Sequence, residues 1–145
     1  MNIFTIGFTQ KTAKDFFEIL KKNKIECLID IRLNNVSQLA GFAKGNDLNY
    51  FLKEICNIDY KHEINFAPTK EILEDYRNKK TSWNDYERDF NQLLINRKVE
   101  NIFENYNNYN NLCFLCSEPT AKQCHRRLLA EYLKSKKQDI KIIHI

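Results

Sequence analysis

Cys116, Glu118, Cys124, His125 and Arg126 fall within one short segment, CSEPTAKQCHR, whose first residue ends the apolar run LCFLC; Asp30 and Arg32 stand at the end of another apolar run, CLIDI. A thiol at the end of a strand that leads into a helix meets free backbone N–H groups, the positive end of the helix dipole and a guanidinium from Arg126 or Arg127, all of which favour an anion or a thiolate. Cys116 is therefore a candidate nucleophile, and Arg126 and Arg32 are candidate holders of negative charge. Glu118, in the turn, can orient an arginine, accept a proton from a ligand or face solvent, and its residue type leaves the three roles open. His125 lies one helical repeat before Leu128, Leu129 and Tyr132, which places its imidazole on the sheet-facing side as a candidate acid or base.

Asp30 interrupts an apolar strand, and a buried carboxylate is costly unless paired or hydrogen-bonded. Arg32, two residues on and on the same side of the strand, is its nearest partner. The pair reads either as part of a catalytic site or as a structural ion pair. Cys113-x-x-Cys116 has redox spacing, but on a strand these side chains point to opposite faces about 10 Å apart, against the ~5.5 Å Cα separation typical of a disulfide. Cys113 reads as core. Cys116, Cys124 and His125 together are possible zinc ligands, although one strand tip and one helix turn lack the paired spacing of a structural zinc site. Taken alone, Cys124 reads as a thiol packed on the helix. His62 and His144 have no visible partner and read as structural.

These residues need strands and helices to hold them. IFTIG near the N-terminus reads as a strand. Thr12 then caps a helix in which Ala13, Phe16, Phe17 and Leu20 share a face. CLIDI, at 27–31, reads as a central strand parallel to the first. Leu48, Phe51, Leu52 and Ile55 repeat the helical spacing, and residues 58–63 read as a further strand. Residues 69–107 read as two or three helices, with Thr69 after Pro68 and Ser82 before a face of Tyr86, Phe90, Leu93 and Leu94. NYNNYNN at 105–111 reads as a polar loop, LCFLC at 112–116 as a buried strand, 122–137 as a helix and IKIIHI as the last strand. Thr120 and Gln123 have capping-box spacing, which predicts a helix start near residue 121 and a short turn after Cys116. Alternating strands and helices imply a three-layer α/β domain, with a mainly parallel sheet of four or five strands spanning 1–145. Ligands of such sheets bind at the carboxyl ends of the strands, where both reactive stretches arrive.

The chain of 145 residues, 43% of them hydrophobic, has the size of one domain and can bury a core without disulfides or metal. No stretch approaches the roughly 20 apolar residues of a membrane span, and the N-terminus has no basic region followed by a long apolar one, so neither membrane nor secretion is expected. Five cysteines, an odd number set mostly in apolar runs, fit a reducing cytoplasm. A net charge of +4 favours anionic ligands but falls short of a dedicated nucleic-acid binder. No cofactor is expected, and no feature points to an oligomeric state.

The chain resembles the family known as domain of unknown function 488 over nearly its whole length. TIGFT at 5–9 is similar to that family's opening strand and turn, LIDIR at 28–32 to its second strand with an Asp-x-Arg tip, and CSEPTAKQCHRRLLAEYL at 116–133 to its Cys-x-Glu and Cys-His-Arg signature. The resemblance implies an α/β fold and a shared pocket, with Thr9 and Ser37 joining Arg32, Arg126 and Cys124 as ligand contacts. The chain departs from the family's pattern in having Asn34, Asn35 and Val36 before Ser37, where relatives tend to carry proline. It also lacks a glycine-rich segment around INFAPTK. A fainter likeness of arrangement links the Asp-x-Arg tip and the strand–cysteine–helix unit to rhodaneses and cysteine phosphatases, but the longer gap from Cys116 to Arg126 predicts a different loop.

Three functions compete. The leading expectation is a pocket for a small anionic ligand, with nucleotide or phosphoester chemistry, in which Cys116 or His125 works as nucleophile or proton carrier with Glu118 and Asp30. The second is a non-catalytic nucleotide or nucleic-acid module using Lys122, Arg126, Arg127, Lys134, Lys136 and Lys137. The third is a zinc-binding structural protein.

Overall fold

In a computed structural model, which describes residues 1–36 and 40–145, the short β-branched and aliphatic runs form five parallel strands. These are β1 (Asn2–Gly7), β2 (Cys27–Asp30), β3 (Asp59–His62), β4 (Asn111–Cys116) and β5 (Lys141–His144), in the order β3-β2-β4-β1-β5. The three inner strands β2, β4 and β1 are the apolar ones, since both of their faces are covered. The edge strands β3 and β5 carry exposed Lys61, His62 and Lys141, which keep their open edges soluble.

Helices cover both faces. Phe4, Ile6, Leu28, Cys113 and Leu115 pack against α1 (Ala13–Lys22) and α2 (Gly45–Phe51). Ile3, Cys27, Ile29, Leu112, Phe114 and Cys116 pack on the other side against α4 (Trp83–Arg97), α5 (Val99–Phe103) and α6 (His125–Lys136), with α3 (Lys70–Arg77) outside them. Cys113 and Cys116 therefore sit on opposite faces, as strand alternation requires.

Local chemistry sets most helix starts. Thr12 accepts from Asp15 N, Thr69 from Ile72 N, and Ser82 forms a reciprocal capping box with Asp85. After α2 the chain widens into a π-helical turn, Leu52–Cys56, which breaks the 3.6-residue spacing and leaves Ile55 on the surface. In NYNNYNN, Tyr106 is buried within a 3₁₀ turn and Tyr109 donates to Asp59 across 2.8 Å, so the tract is anchored by its tyrosines.

α6 departs from expectation. Thr120 and Gln123 do not cap it; its N-cap is Cys124, in extended conformation, and the helix begins at His125. Gln123 instead accepts from Tyr76 Oη at 3.4 Å, and the Cys124 side chain reaches back to Cys116. A long-range contact thus outweighs the local capping signal and leaves a longer loop after β4.

β2 and β4 are neighbours whose following helices leave to opposite faces, α2 to one and α6 to the other. Strand ends at such a switch point cannot be closed over by a single connection, and a crevice opens between them.

Candidate functional site

Asp30 ends β2 with its carboxylate wholly buried and fully used. Arg32 donates to it through Nε at 2.8 Å, Nη2 at 2.7 Å and backbone N at 3.2 Å, and Tyr60 Oη donates at 2.8 Å. Arg32 is held in turn by the Ala43 carbonyl at 2.6 Å and by the Phe8 ring, 5.2 Å from the guanidinium. His62 Nε2 meets the Arg32 carbonyl at 2.8 Å; a carbonyl only accepts, so Nε2 donates. The acid that ordinary strand packing would exclude is thus compensated by one bidentate arginine and a tyrosine, and burial pushes the Tyr60 phenol up, which keeps it a donor.

Cys116 ends β4 on the opposite face. Its sulfur stands 2.7 Å from Cys124 Sγ and 2.8 Å from Arg126 Nη1. Cys116, Cys124 and Arg126 are only 1%, 2% and 1% exposed. Arg126 Nη1 also donates to the Glu118 carbonyl at 2.6 Å, Nε has no hydrogen-bond partner, and no carboxylate lies within ion-pairing distance among the described residues. A buried guanidinium needs a counter-charge, and Cys116 is the acidic group it touches. Burial pushes the Cys116 thiol up, but the Cys124 S–H, the Arg126 charge and a backbone hydrogen bond from Glu118 outweigh it and hold Cys116 below the ordinary thiol range. Cys124 moves the other way, because its proton is held by Cys116 and by burial.

Gly7 makes this arrangement possible. It lies beside Cys116 in the β1–β4 register, and a Cβ on it would collide with the Glu118 carbonyl and come 3.0 Å from Arg126 Nη1. Thr9 fastens the same loop, through N to the Ser117 carbonyl at 3.3 Å and through its hydroxyl to the same oxygen. The loop after β4 is thereby pinned to the loop after β1.

His125, the first residue of α6, directs Nε2 to the Ile31 carbonyl at 2.9 Å and packs edge-on against Phe90. Nε2 must donate, so in neutral histidine Nδ1 keeps the lone pair. Burial pushes its pKa down to about 4, so the ring is neutral at physiological pH.

The two tips meet. A cleft of about 340 Å³ is lined by Arg32, Cys116, Glu118, Cys124 and His125 on the sheet side, and by Tyr76, Arg77 and Trp83 from α3 and α4. Asp30 and Arg126 lie behind this lining, Asp30 beneath Arg32 and Arg126 beneath Cys116. Thr9 acts on the loop rather than on the cleft, and Ser37 lies outside the described residues. Tyr86 stacks on Trp83 with centroids 5.1 Å apart and reads in the sequence only as part of an apolar helix face, while Trp83, Tyr76 and the cation Arg77 carry no local signal that would set them at a cleft. Tyr60 was hidden in an edge strand, and only strand register brings it to Asp30.

Cys116, Cys124 and His125 do not converge as metal ligands. Nε2 of His125 is engaged with Ile31, and among the described residues no group of three or more His, Cys, Asp or Glu side chains could hold a metal ion. Nor do the α6 cations form a uniform stripe: Arg126 is buried, Arg127 pairs with Glu131 at 3.0 Å, Lys136 covers Tyr132, and Lys137 bonds Asn107. No described helix is long and apolar enough to cross a membrane.

A family model described as domain of unknown function DUF488 matches residues 12–133. The matched segment contains the Asp-x-Arg tip and the whole Cys-x-Glu and Cys-His-Arg stretch, while TIGFT at 5–9 precedes it. No curated protein and no solved structure matches the chain.

Proposed function

The chain belongs to the DUF488 family, a domain whose description assigns no reaction, and we propose from its site that it is an enzyme using the Cys116 thiolate as a nucleophile on a small phosphate-bearing substrate, a nucleotide or other phosphoester. The observation that carries this reading is the contact of Arg126 Nη1 with Cys116 Sγ at 2.8 Å, in a place where no carboxylate neutralises the guanidinium among the described residues. A thiol that serves only as core does not need a buried cation, whereas a nucleophilic cysteine does.

The remaining parts support the same reading. Arg77 lines the cleft with no ion pair among the described residues and is available to a phosphate. Arg32 adds positive charge, although Asp30 offsets much of it. Tyr76 and Trp83 offer flat apolar surface of the kind on which a nucleobase stacks. Glu118, exposed beside Cys116, is the carboxylate placed to exchange a proton with the leaving group or with water. Asp30 and Arg126 act through Arg32 and Cys116 as positioning residues, and neutral His125 holds the Ile31 carbonyl.

The test is hydrolysis of a panel of nucleotides and phosphate monoesters and diesters, with phosphate release as readout. Cys116→Ser, assayed at a temperature where circular dichroism shows it folded, is expected to lose at least about a hundredfold in turnover, and a bound nucleotide is expected to slow alkylation of Cys116 in the native protein. Turnover that survives the substitution, or nucleotide binding that neither turns over nor protects Cys116, would point instead to a non-catalytic module. Binding to a long nucleic acid that weakens steeply with salt would identify a backbone binder.

A further inference from the structure

Cys116 and Cys124 come from different elements, the last residue of β4 and the N-cap of α6, and both are free. Their sulfurs are 2.7 Å apart, less than an ångström beyond a ~2.05 Å disulfide bond. Arg126 Nη1 reaches both, at 2.8 Å and 3.8 Å. Cys27 and Cys113, by contrast, are core thiols, and Cys56 contacts the Phe17 carbonyl. The Cys124 side chain also leaves its helix uncapped in order to face Cys116. A thiol beside an arginine-supported sulfur, at the bottom of a cleft, has the parts of a two-cysteine oxidation site.

We propose that Cys116 is oxidised by hydrogen peroxide and that Cys124 resolves the product as an intramolecular disulfide. Burial favours a small oxidant. Cys116 lines the cleft but is only 1% exposed, so hydrogen peroxide reaches its sulfur more readily than a bulky peptide disulfide such as oxidised glutathione. The Cys116 thiolate attacks one peroxide oxygen, the O–O bond breaks, and the departing hydroxide takes a proton and leaves as water, so that Cys116 becomes a sulfenic acid. The Cys124 sulfur then attacks the Cys116 sulfur and the S–O bond breaks. Hydroxide leaves with the Cys124 proton as a second water. Two thiols are oxidised by two electrons, and one peroxide is reduced to two waters.

The disulfide is reversible for an electrostatic reason. Its formation removes the anion beside buried Arg126, and reduction by a dithiol restores it, so the reduced form is favoured. This inference needs only the two sulfurs and the cleft, and it holds whatever substrate the cleft accepts.

The test is peptide mapping without reduction after treatment of the native protein with hydrogen peroxide. The expected result is loss of two of the five thiols and a tryptic species joining residues 99–122 to residues 123–126, assigned to Cys116 rather than Cys113 by fragmentation and abolished by dithiothreitol. Cys124→Ser keeps a donor beside Cys116 but removes the resolving sulfur, and is expected to give sulfenic and then sulfinic acid on Cys116 in place of the cross-link. Failure to detect the cross-link in the native protein, a cross-link through Cys113, or resistance of all five thiols overturns the proposal. If Cys124→Ser does not fold, the native map alone decides. A missing cross-link alongside Cys116-dependent turnover would refute the disulfide and leave the nucleophile reading standing.

Discussion

Arg126 Nη1 donates to Cys116 Sγ across 2.8 Å inside the protein, and the same nitrogen donates to the Glu118 carbonyl at 2.6 Å. One guanidinium therefore touches both the sulfur and the loop beyond it. It lies behind the cleft that Cys116 lines, so a molecule entering the cleft would meet the sulfur without displacing it.

If the guanidinium holds the thiolate, Arg126→Gln should raise the pH at which Cys116 ionises. A hydrogen bond to a charged group contributes about 1.5–3 kcal/mol, or about 1–2 pH units. Thiolate absorbance in the ultraviolet, followed against pH and compared with Cys116→Ser to isolate the one sulfur, checks this. An unchanged midpoint would mean that Arg126 does not set the charge of Cys116.

The Asp30–Arg32 pair is buried on both sides, so removing one partner should cost more than removing both. Asp30→Asn or Arg32→Met alone is expected to lose about 3–5 kcal/mol, and the double variant appreciably less than the sum. Urea unfolding of the four proteins measures the coupling. Additive losses would show that the two side chains do not stabilise one another.

Local rules made much of the fold readable. Thr12, Thr69 and Ser82 cap helices because each satisfies an amide three residues away, and CLID and NLCFLC are central strands because apolar residues fill both faces. The carboxyl-edge position of the candidate cleft was equally legible, since Asp30 and Cys116 end strands. What failed was local reasoning where a distant contact competes: Thr120 and Gln123 have the spacing of a cap, but Cys124 must stay extended to reach Cys116. Tyr60 and Gly7 matter through residues 30 and 111 positions away, and no periodicity encodes such partners.

His125 should make the fold sensitive to acid. Its folded pKa of about 4 lies below the ordinary value of 6.5, so the unfolded chain binds the proton more readily. The resulting stability is fully present above pH 6.5 and is lost as pH falls through 4. The difference is on the order of 3 kcal/mol at 1.36 kcal/mol per unit. Urea unfolding at a series of pH values should show this slope in the native protein and a flatter one in His125→Gln, which keeps a donor for the Ile31 carbonyl. Equal slopes would place the acid sensitivity elsewhere.

Gly7→Ala tests whether close backbone approach, rather than the identity of the reactive groups, sets the site. The added methyl would overlap the Glu118 carbonyl and press on Arg126 Nη1, so the loop after β4 has to move outward from β1. Gly7 is the last residue of β1, and the pairing of β1 with β4 and β5 is established over the residues before it. The expected cost is therefore that of local overpacking, about 1–3 kcal/mol, with the sheet preserved. The larger effect should fall on Cys116: once the guanidinium is displaced, its thiolate loses its counter-charge and its titration moves upward as in Arg126→Gln. Gly7→Ala combined with Arg126→Gln should then add nothing further to that shift, because the two substitutions remove the same contact. Additive shifts in the double variant would show that Gly7 acts on Cys116 by some route other than the arginine.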